Sequence, residues 1–306
     1  MNAPKYHGII PPMITPLRDR DTLDIAGLEC LIEHILSAGA HGLFILGTTG
    51  EGPGLSYRLR KELIERTCRQ VKGRVPVLVG ITDTAFQESL NVARWSADAG
   101  ADALVVAPPY YLPAAQPELQ EYLEHLVPGL PLPLFLYNMP ALTKVSFELE
   151  TVRRAMDEQR IIGIKDSSGS MIFLHRILAL LPHRPDWSVF IGPEEMLPDA
   201  VLAGAHGAVT GGANLFPRLY VNLFEAARAG NLTRVRELHA IVMRVSEGLY
   251  RIGRHSSAGI KAIKCALSLS GICDDFMAEP FHRFQEPERA RVRQILDELR
   301  PLLKDL

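Results

Sequence analysis

Short apolar runs recur along the chain at nearly even intervals, and polar segments of helical length separate them. The runs are "GIIPPMITP" (8–16), "GLFILG" (42–47), "VPVLVG" (75–80), "ALVVAP" (103–108), "PLFLYN" (133–138), "IIGIKD" (161–166), "VFIG" (189–192) and "GAVTGG" (207–212). Most are too short and too uniformly apolar for amphipathic helices, and they fit strands buried on both faces, as a parallel sheet requires. Between them, 24–39, 56–73 and 87–100 place apolar residues at three- and four-residue spacing and close on Gly39, Gly73 and Gly100, with Ser56 as a cap for the second. Eight strands alternating with helices predict a (β/α)8 TIM barrel. A doubly wound sheet is the competitor, but its nucleotide form needs GxGxxG after the first strand, and "TPLRDRDTLD" stands there.

After the eighth run the pattern changes. Four helical segments follow (218–230, 232–250, 257–271 and 286–306), which is more than one barrel unit needs. The chain therefore divides into a catalytic barrel, residues 1–231, and a C-terminal helical extension, 232–306.

With 306 residues, 47% of them hydrophobic and 22% charged, the composition is that of a globular protein with ample core. A net charge of -2 supplies no basic excess for nucleic acid. Cys30, Cys68, Cys265 and Cys273 form no CxxC pair, no HExxH is present, and the histidines lack ligand spacing, so no metal site is expected. No run reaches the ~18 apolar residues of a membrane span, and "MNAPKYHGIIPPM" lacks a basic region followed by a long apolar stretch. A cytoplasmic protein with no membrane partner is expected.

In such a barrel the active site lies where the strands end at their C-terminal side. The strand ends here carry "GTTGE" (47–51), "PPYY" (108–111), "YNMP" (137–140), "KDSSG" (165–169), "GPEE" (192–195) and "GGAN" (211–214). Lys165 ends a buried strand. It is either a snorkelling lysine paired with Asp166 or Glu194, or a desolvated amine able to attack a ketone. Tyr137 is either a packed aromatic or a proton shuttle beside that amine. "GTTGE" is a tight polar turn or a cradle of N–H groups and hydroxyls suited to a carboxylate. Tyr110 and Tyr111 read as a surface or interface pair, and Glu194 and Glu195 as a solvated charge pair.

Taken together, "GTTGE", "PPYY", "YNMP" and "IGIKD", in this order and at these strand ends, resemble the dihydrodipicolinate synthase and N-acetylneuraminate lyase superfamily of pyruvate-dependent class I aldolases. The resemblance covers nearly the whole chain from Tyr6. It implies that Lys165 forms an imine with the ketone of a 2-oxo acid. It further implies that Tyr137 moves protons at the imine, that Thr48 links Tyr137 to a second tyrosine, Tyr111, reaching from an adjacent subunit, and that Thr49 with Gly47 holds the substrate carboxylate. Asp166, Ser167, Gly192, Glu194, Glu195 and Gly211 are expected around the rest of the substrate. No metal or organic cofactor is implied. The partners implied are a small 2-oxo acid, an aldehyde and further copies of the chain in a homotetramer, a dimer of dimers.

Two departures narrow the substrate. The synthases carry P-S-R-T-G after the tyrosine, and the arginine binds a dicarboxylic partner; here "PALTK" puts Leu142 at the arginine position and Lys144 at the glycine. Sialic acid lyases also carry leucine there, but they have a serine where this chain has Gly211. "YNMPALT" followed by "IIGIKDSSG" looks most like the 2-keto-3-deoxy sugar acid aldolases. The alternatives are 4-hydroxy-tetrahydrodipicolinate synthase, with Lys144 or Arg254 as replacement cation, a dehydratase of such an acid, and a barrel that only binds 2-oxo acids.

Overall fold

Strands that are apolar on both faces must be covered on both, and a closed barrel inside a ring of helices does this without leaving a sheet edge. The computed structural model describes residues 5–304. The first four residues of the segment read for a leader and the last two of the C-terminal extension lie outside them. Eight strands form one parallel sheet: β1 (Gly8–Ile9), β2 (Leu43–Ile45), β3 (Val77–Gly80), β4 (Ala103–Val106), β5 (Leu134–Asn138), β6 (Ile161–Asp166), β7 (Ser188–Ile191) and β8 (Gly207–Ala208). From β2 to β8 each strand pairs with its neighbour in chain order, and β8 pairs with β1. The remaining gap is closed by a bridge between Pro12 and Phe44. There the Met13 N–H donates to the Phe44 carbonyl at 2.8 Å and the Phe44 N–H to the Pro11 carbonyl at 3.0 Å. The first run pairs regularly over only two residues because Pro11 and Pro12 have no N–H to donate.

The helices are α1 (Ile25–Ser37), α2 (Tyr57–Val71), α3 (Phe86–Asp98), α4 (Gln116–Leu126), the single turn α5 (Pro140–Thr143), α6 (Leu149–Ala155), α7 (Met171–Leu178), α8 (Leu197–Leu202), α9 (Pro217–Arg228), α10 (Leu232–Leu249), α11 (Ala258–Leu269) and α12 (Glu286–Leu299). The Asp24 carboxylate accepts from Gly27 N–H at the start of α1, and Ser56 accepts from Leu59 N–H at the start of α2. Gly39, Gly73 and Gly100 take φ of 88°, 72° and 87° where α1, α2 and α3 end, a left-handed conformation that costs other residues more. The sequence pattern does not show a small hairpin, Leu17–Asp19 with Thr22–Leu23, which lies between β1 and α1.

Two apolar layers follow from strand alternation. Outward side chains such as Leu136, Ile164 and Val189 pack beneath the helices, and inward ones fill the lumen. The lumen is aromatic: Tyr6, Phe44, Phe135, Tyr137 and Phe190 share it with Ile10, Leu78 and Val105. Tyr6 meets Phe135 edge-on at 5.3 Å, and Phe135 meets Phe190 at 5.9 Å. Gly163 of β6 faces this packing; a Cβ there would collide with the Phe135 ring and the Ser188 carbonyl. All four cysteines are free, and Cys68, Cys265 and Cys273 are buried. Among the described residues no helix is long and apolar enough to cross a membrane.

The C-terminal helices share the barrel's outer core through Leu238, Val242, Val245, Leu249, Ala266, Leu267, Val292 and Ile295. They also fasten to the rim through Glu194. Tyr220 of α9 and Tyr250, just after α10, both donate to Glu194 Oε1, the latter at 2.8 Å, and Gly212 N–H donates to Oε2 at 2.8 Å. Burial pushes this carboxyl from its ordinary 4.5 up to about 7, with the tyrosine and Gly212 hydrogen bonds pulling the other way. Glu194 therefore ionises near 4.5 in the unfolded chain but only near 7 in the folded one. Its contribution to stability is complete below the lower value and is lost as pH rises to the upper one, at about 1.4 kcal/mol per pH unit at the steepest. Glu194→Gln should flatten this: between pH 5 and pH 8 the wild-type urea midpoint should fall relative to that of the variant, and parallel profiles would refute the assignment.

Candidate active site

The β5–β6 ladder pairs Tyr137 with Lys165 and Asn138 with Asp166. Alternation turns the first pair into the lumen and the second outward. Lys165 is 5% exposed, and its Nζ lies 4.1 Å from the Tyr137 ring centroid and 5.2 Å from that of Phe44. Two aromatic faces therefore receive the amine. The two carboxylates that could have paired with it are committed elsewhere. Asp166 accepts from Asn138 Nδ2 at 2.9 Å and from the Ser168 hydroxyl at 2.9 Å, while Glu194 is held by Tyr220, Tyr250 and Gly212. The snorkelling ion pair is not formed, and an amine next to apolar and aromatic surface at a strand end is placed to act as a nucleophile.

The loop after β2 brings up the hydroxyls. Thr48 Oγ1 lies 3.3 Å from the Tyr137 hydroxyl, and either can donate. Thr49 follows, partly exposed at the same turn. The turn is tightly wound: Glu51 N–H donates to the Thr48 carbonyl at 3.0 Å and Gly52 N–H to the Gly47 carbonyl at 3.2 Å. Leu46 and Glu51 flank it at φ of 59° and 55°, a strained region for residues with a Cβ. The Glu51 side chain turns away from the barrel mouth and forms a buried ion pair with Lys264 of α11. A cavity of about 240 Å³ opens above Tyr137, lined by Phe44, Gly47, Thr48, Thr82, Tyr110, Tyr137, Met139 and Leu142 among others. Thr82 and Phe44 were not singled out from the sequence. The signal for Thr82 was a polar residue at the end of the third strand, and Phe44 was concealed inside an apolar run.

The remaining expected residues divide. Ser167 reaches the lumen side of the rim against Gly192, where a Cβ would collide with the Ser167 hydroxyl, and Gly211 lies beside Glu194. Asp166, expected to contact the partner substrate, faces outward and is fully buried; desolvation raises its pKa against the pull of Asn138 and Ser168. Glu194 and Glu195, expected as a solvated or substrate-binding pair, are turned toward the C-terminal helices instead. Glu195 accepts from the Ser246 hydroxyl, and its carbonyl lies 2.7 Å from His239 Nε2. The reason is burial: at this rim a carboxylate without fixed donors would be costly, and α9 and α10 supply them. Tyr110 lines the cavity, whereas Tyr111 is 92% exposed at φ 83° and does not approach Thr48 within the chain. Leu142 takes the arginine position and lines the mouth, and Lys144 points back to donate to the Ala141 carbonyl at 2.7 Å.

A buried lysine, a tyrosine at its side and a hydroxyl loop above them form the same constellation that the motifs suggested, and relatives share the whole architecture. A dihydrodipicolinate synthase structure from Bacteroides thetaiotaomicron superposes with a TM-score of 0.94 at 51% identity, covering 97% of this chain and 100% of that one. YagE of Escherichia coli K12, a prophage protein of the dihydrodipicolinic acid synthase family solved in complex with pyruvate, superposes with a TM-score of 0.91 at 31% identity, over 97% of this chain and 99% of its own. In sequence, the "Probable 2-dehydro-3-deoxy-D-pentonate aldolase YjhH" of Escherichia coli K12 is 35% identical over 237 residues, 77% of this chain and 79% of that protein. The model of the dihydrodipicolinate synthetase family matches residues 5–299, and the chain belongs to that family.

Proposed function

We propose that the protein is a Schiff-base lyase that splits a 2-oxo-3-deoxy sugar acid into pyruvate and an aldehyde, or joins them. The observation that carries this reading is the pairing of buried Lys165 with Tyr137 and Thr48 at one rim, with Leu142 where a dicarboxylate-binding arginine would stand.

The neutral Lys165 amine attacks the C2 ketone, and loss of water leaves a protonated imine. The imine accepts the electron pair of the C3–C4 bond as that bond breaks. Tyr137, with Thr48 as proton partner, removes the proton from the C4 hydroxyl, so C4 leaves as an aldehyde and C3 becomes part of an enamine. Protonation at C3 and hydrolysis of the imine release pyruvate and free Lys165. The electron sink is the imine itself, so this chemistry calls for no metal or organic cofactor. The Thr48–Thr49 turn offers hydroxyls and backbone N–H groups to the carboxylate next to the ketone. Tyr111, exposed on its own chain, would complete the Thr48 relay from a second copy in a homotetramer.

A synthase joining pyruvate to a semialdehyde is the second reading, favoured by the name of the 51%-identical structure. Leu142 weighs against it: a leucine offers no donors where a carboxylate would need a two-pronged cation, and Lys144 is turned to a backbone carbonyl.

Incubation with pyruvate followed by borohydride should fix one pyruvyl group on Lys165, seen by intact mass, and none on Lys165→Ala; an unmodified wild-type protein would exclude every imine mechanism. Release of pyruvate from a panel of 2-keto-3-deoxy sugar acids should exceed turnover of aspartate semialdehyde, and the reverse order would favour the synthase. Tyr137→Phe should keep trapping but lose about 10²–10⁴-fold in turnover; wild-type turnover would remove the proton-transfer role.

A further inference from the structure

Glu51 closes the "GTTGE" turn, yet its carboxylate is only 7% exposed as a residue and points away from the cavity. It pairs with Lys264, whose side chain is fully buried on α11. The second carboxylate oxygen accepts from Ala278 N–H at 2.8 Å, and Lys264 Nζ also donates to the Phe276 carbonyl at 2.6 Å. One ion pair thus joins three pieces: the turn that carries Thr48 and Thr49, the helix α11, and the segment 276–278 that follows it. Burial lowers the Lys264 pKa, and Glu51 opposes that shift.

The turn needs such a hold. Leu46 and Glu51 both sit at positive φ, and the close approaches at Gly50 and Gly52 leave no room for a Cβ against the Met13 and Leu46 carbonyls. A conformation of this kind persists only where its surroundings over-determine it. On the barrel side, the Thr15 hydroxyl donates to the Gly50 carbonyl at 2.7 Å. On the outer side, the hold is Glu51.

We propose that Glu51 and Lys264 are positioning residues for the carboxylate cradle, so that the C-terminal helical layer fixes Thr48 and Thr49 and thereby sets the affinity for the 2-oxo acid. The inference deepens the lyase reading and rests on it for its ligand, but the rigidity of the turn can be measured without any ligand. Removing only one charge would strand the other in the interior, whereas removing both leaves a neutral pair of similar volume. The informative variant is therefore Glu51→Gln with Lys264→Met, with Glu51→Gln alone read in its place should the double variant not fold.

Two measurements follow. Amide exchange of the peptide spanning 46–52 should be at least tenfold faster in the variant, while peptides from β5 and β6 exchange as in the wild type. The pyruvate concentration for half-maximal borohydride trapping should rise at least tenfold, with the plateau of trapped Lys165 retained. Lys264→Arg, which keeps the charge, should recover most of both. A folded variant with unchanged exchange at 46–52 would overturn the proposal, as would faster exchange with unchanged half-saturation. If wild-type protein traps no pyruvate, the lyase reading fails, and the exchange arm alone decides whether the pair holds the turn.

Discussion

Tyr137 and Lys165 stand side by side because Leu136 pairs with Ile164 one step below them and Asn138 with Asp166 one step above. That register is enforced from both faces. Ile164 and Leu136 belong to the apolar layer under the helices, and a slip of one residue would drive the lysine into that layer and bring an isoleucine to the lumen. The hydrogen bond from Asn138 to Asp166 locks the same pairing from the outside, and Asn138 Oδ1 accepts from Phe147 N–H at 3.1 Å, tying the lock to the chain beyond α5. Asp166 therefore has a defined use although it does not line the cavity: it fixes the alignment of the two strands that carry Tyr137 and Lys165.

The same arrangement explains how a lysine is tolerated inside a barrel. Its stem lies along the lumen wall, and its amine meets the faces of Tyr137 and Phe44, which attract a cation without binding it as a carboxylate would. Imine formation needs a free electron pair on nitrogen, so a permanent carboxylate partner would oppose the reaction. Asp166 and Glu194, its sequence-adjacent and rim-adjacent acids, are instead saturated by Asn138, Ser168, Tyr220, Tyr250 and Gly212. The lumen below is filled by Tyr6, Phe135 and Phe190, which leaves the rim as the place where a substrate can be received.

Much of this was legible in the sequence because it is written in local periodicity. The apolar runs, the helices with their caps, and the order of the strand-end motifs all depend on residues a few positions apart. The hairpin at 17–23 escaped because Arg18, Asp19, Arg20 and Asp21 leave it no apolar run to notice. The fates of Glu51, Glu194 and Glu195 were illegible for a different reason. Their partners Lys264, Tyr220, Tyr250 and Ser246 lie 26 to 213 residues later in the chain, and no local pattern connects them. A rim carboxylate looks the same in sequence whether it faces a sugar hydroxyl or a buried tyrosine.

The two buried glutamates show two ways of attaching the C-terminal helices to a barrel that could in principle close without them. Glu51 forms a buried ion pair with Lys264, and that fastening is completed by two backbone contacts, to the Ala278 N–H and the Phe276 carbonyl. Glu194 meets only neutral donors, and burial there favours the protonated acid up to about pH 7. The first fastening acts on the turn after β2, which carries Thr48 and Thr49, and the second on the ends of β7 and β8. The helices beyond the barrel are in this sense an outer wall: through Glu51 and Glu194 they hold the loops at the barrel mouth.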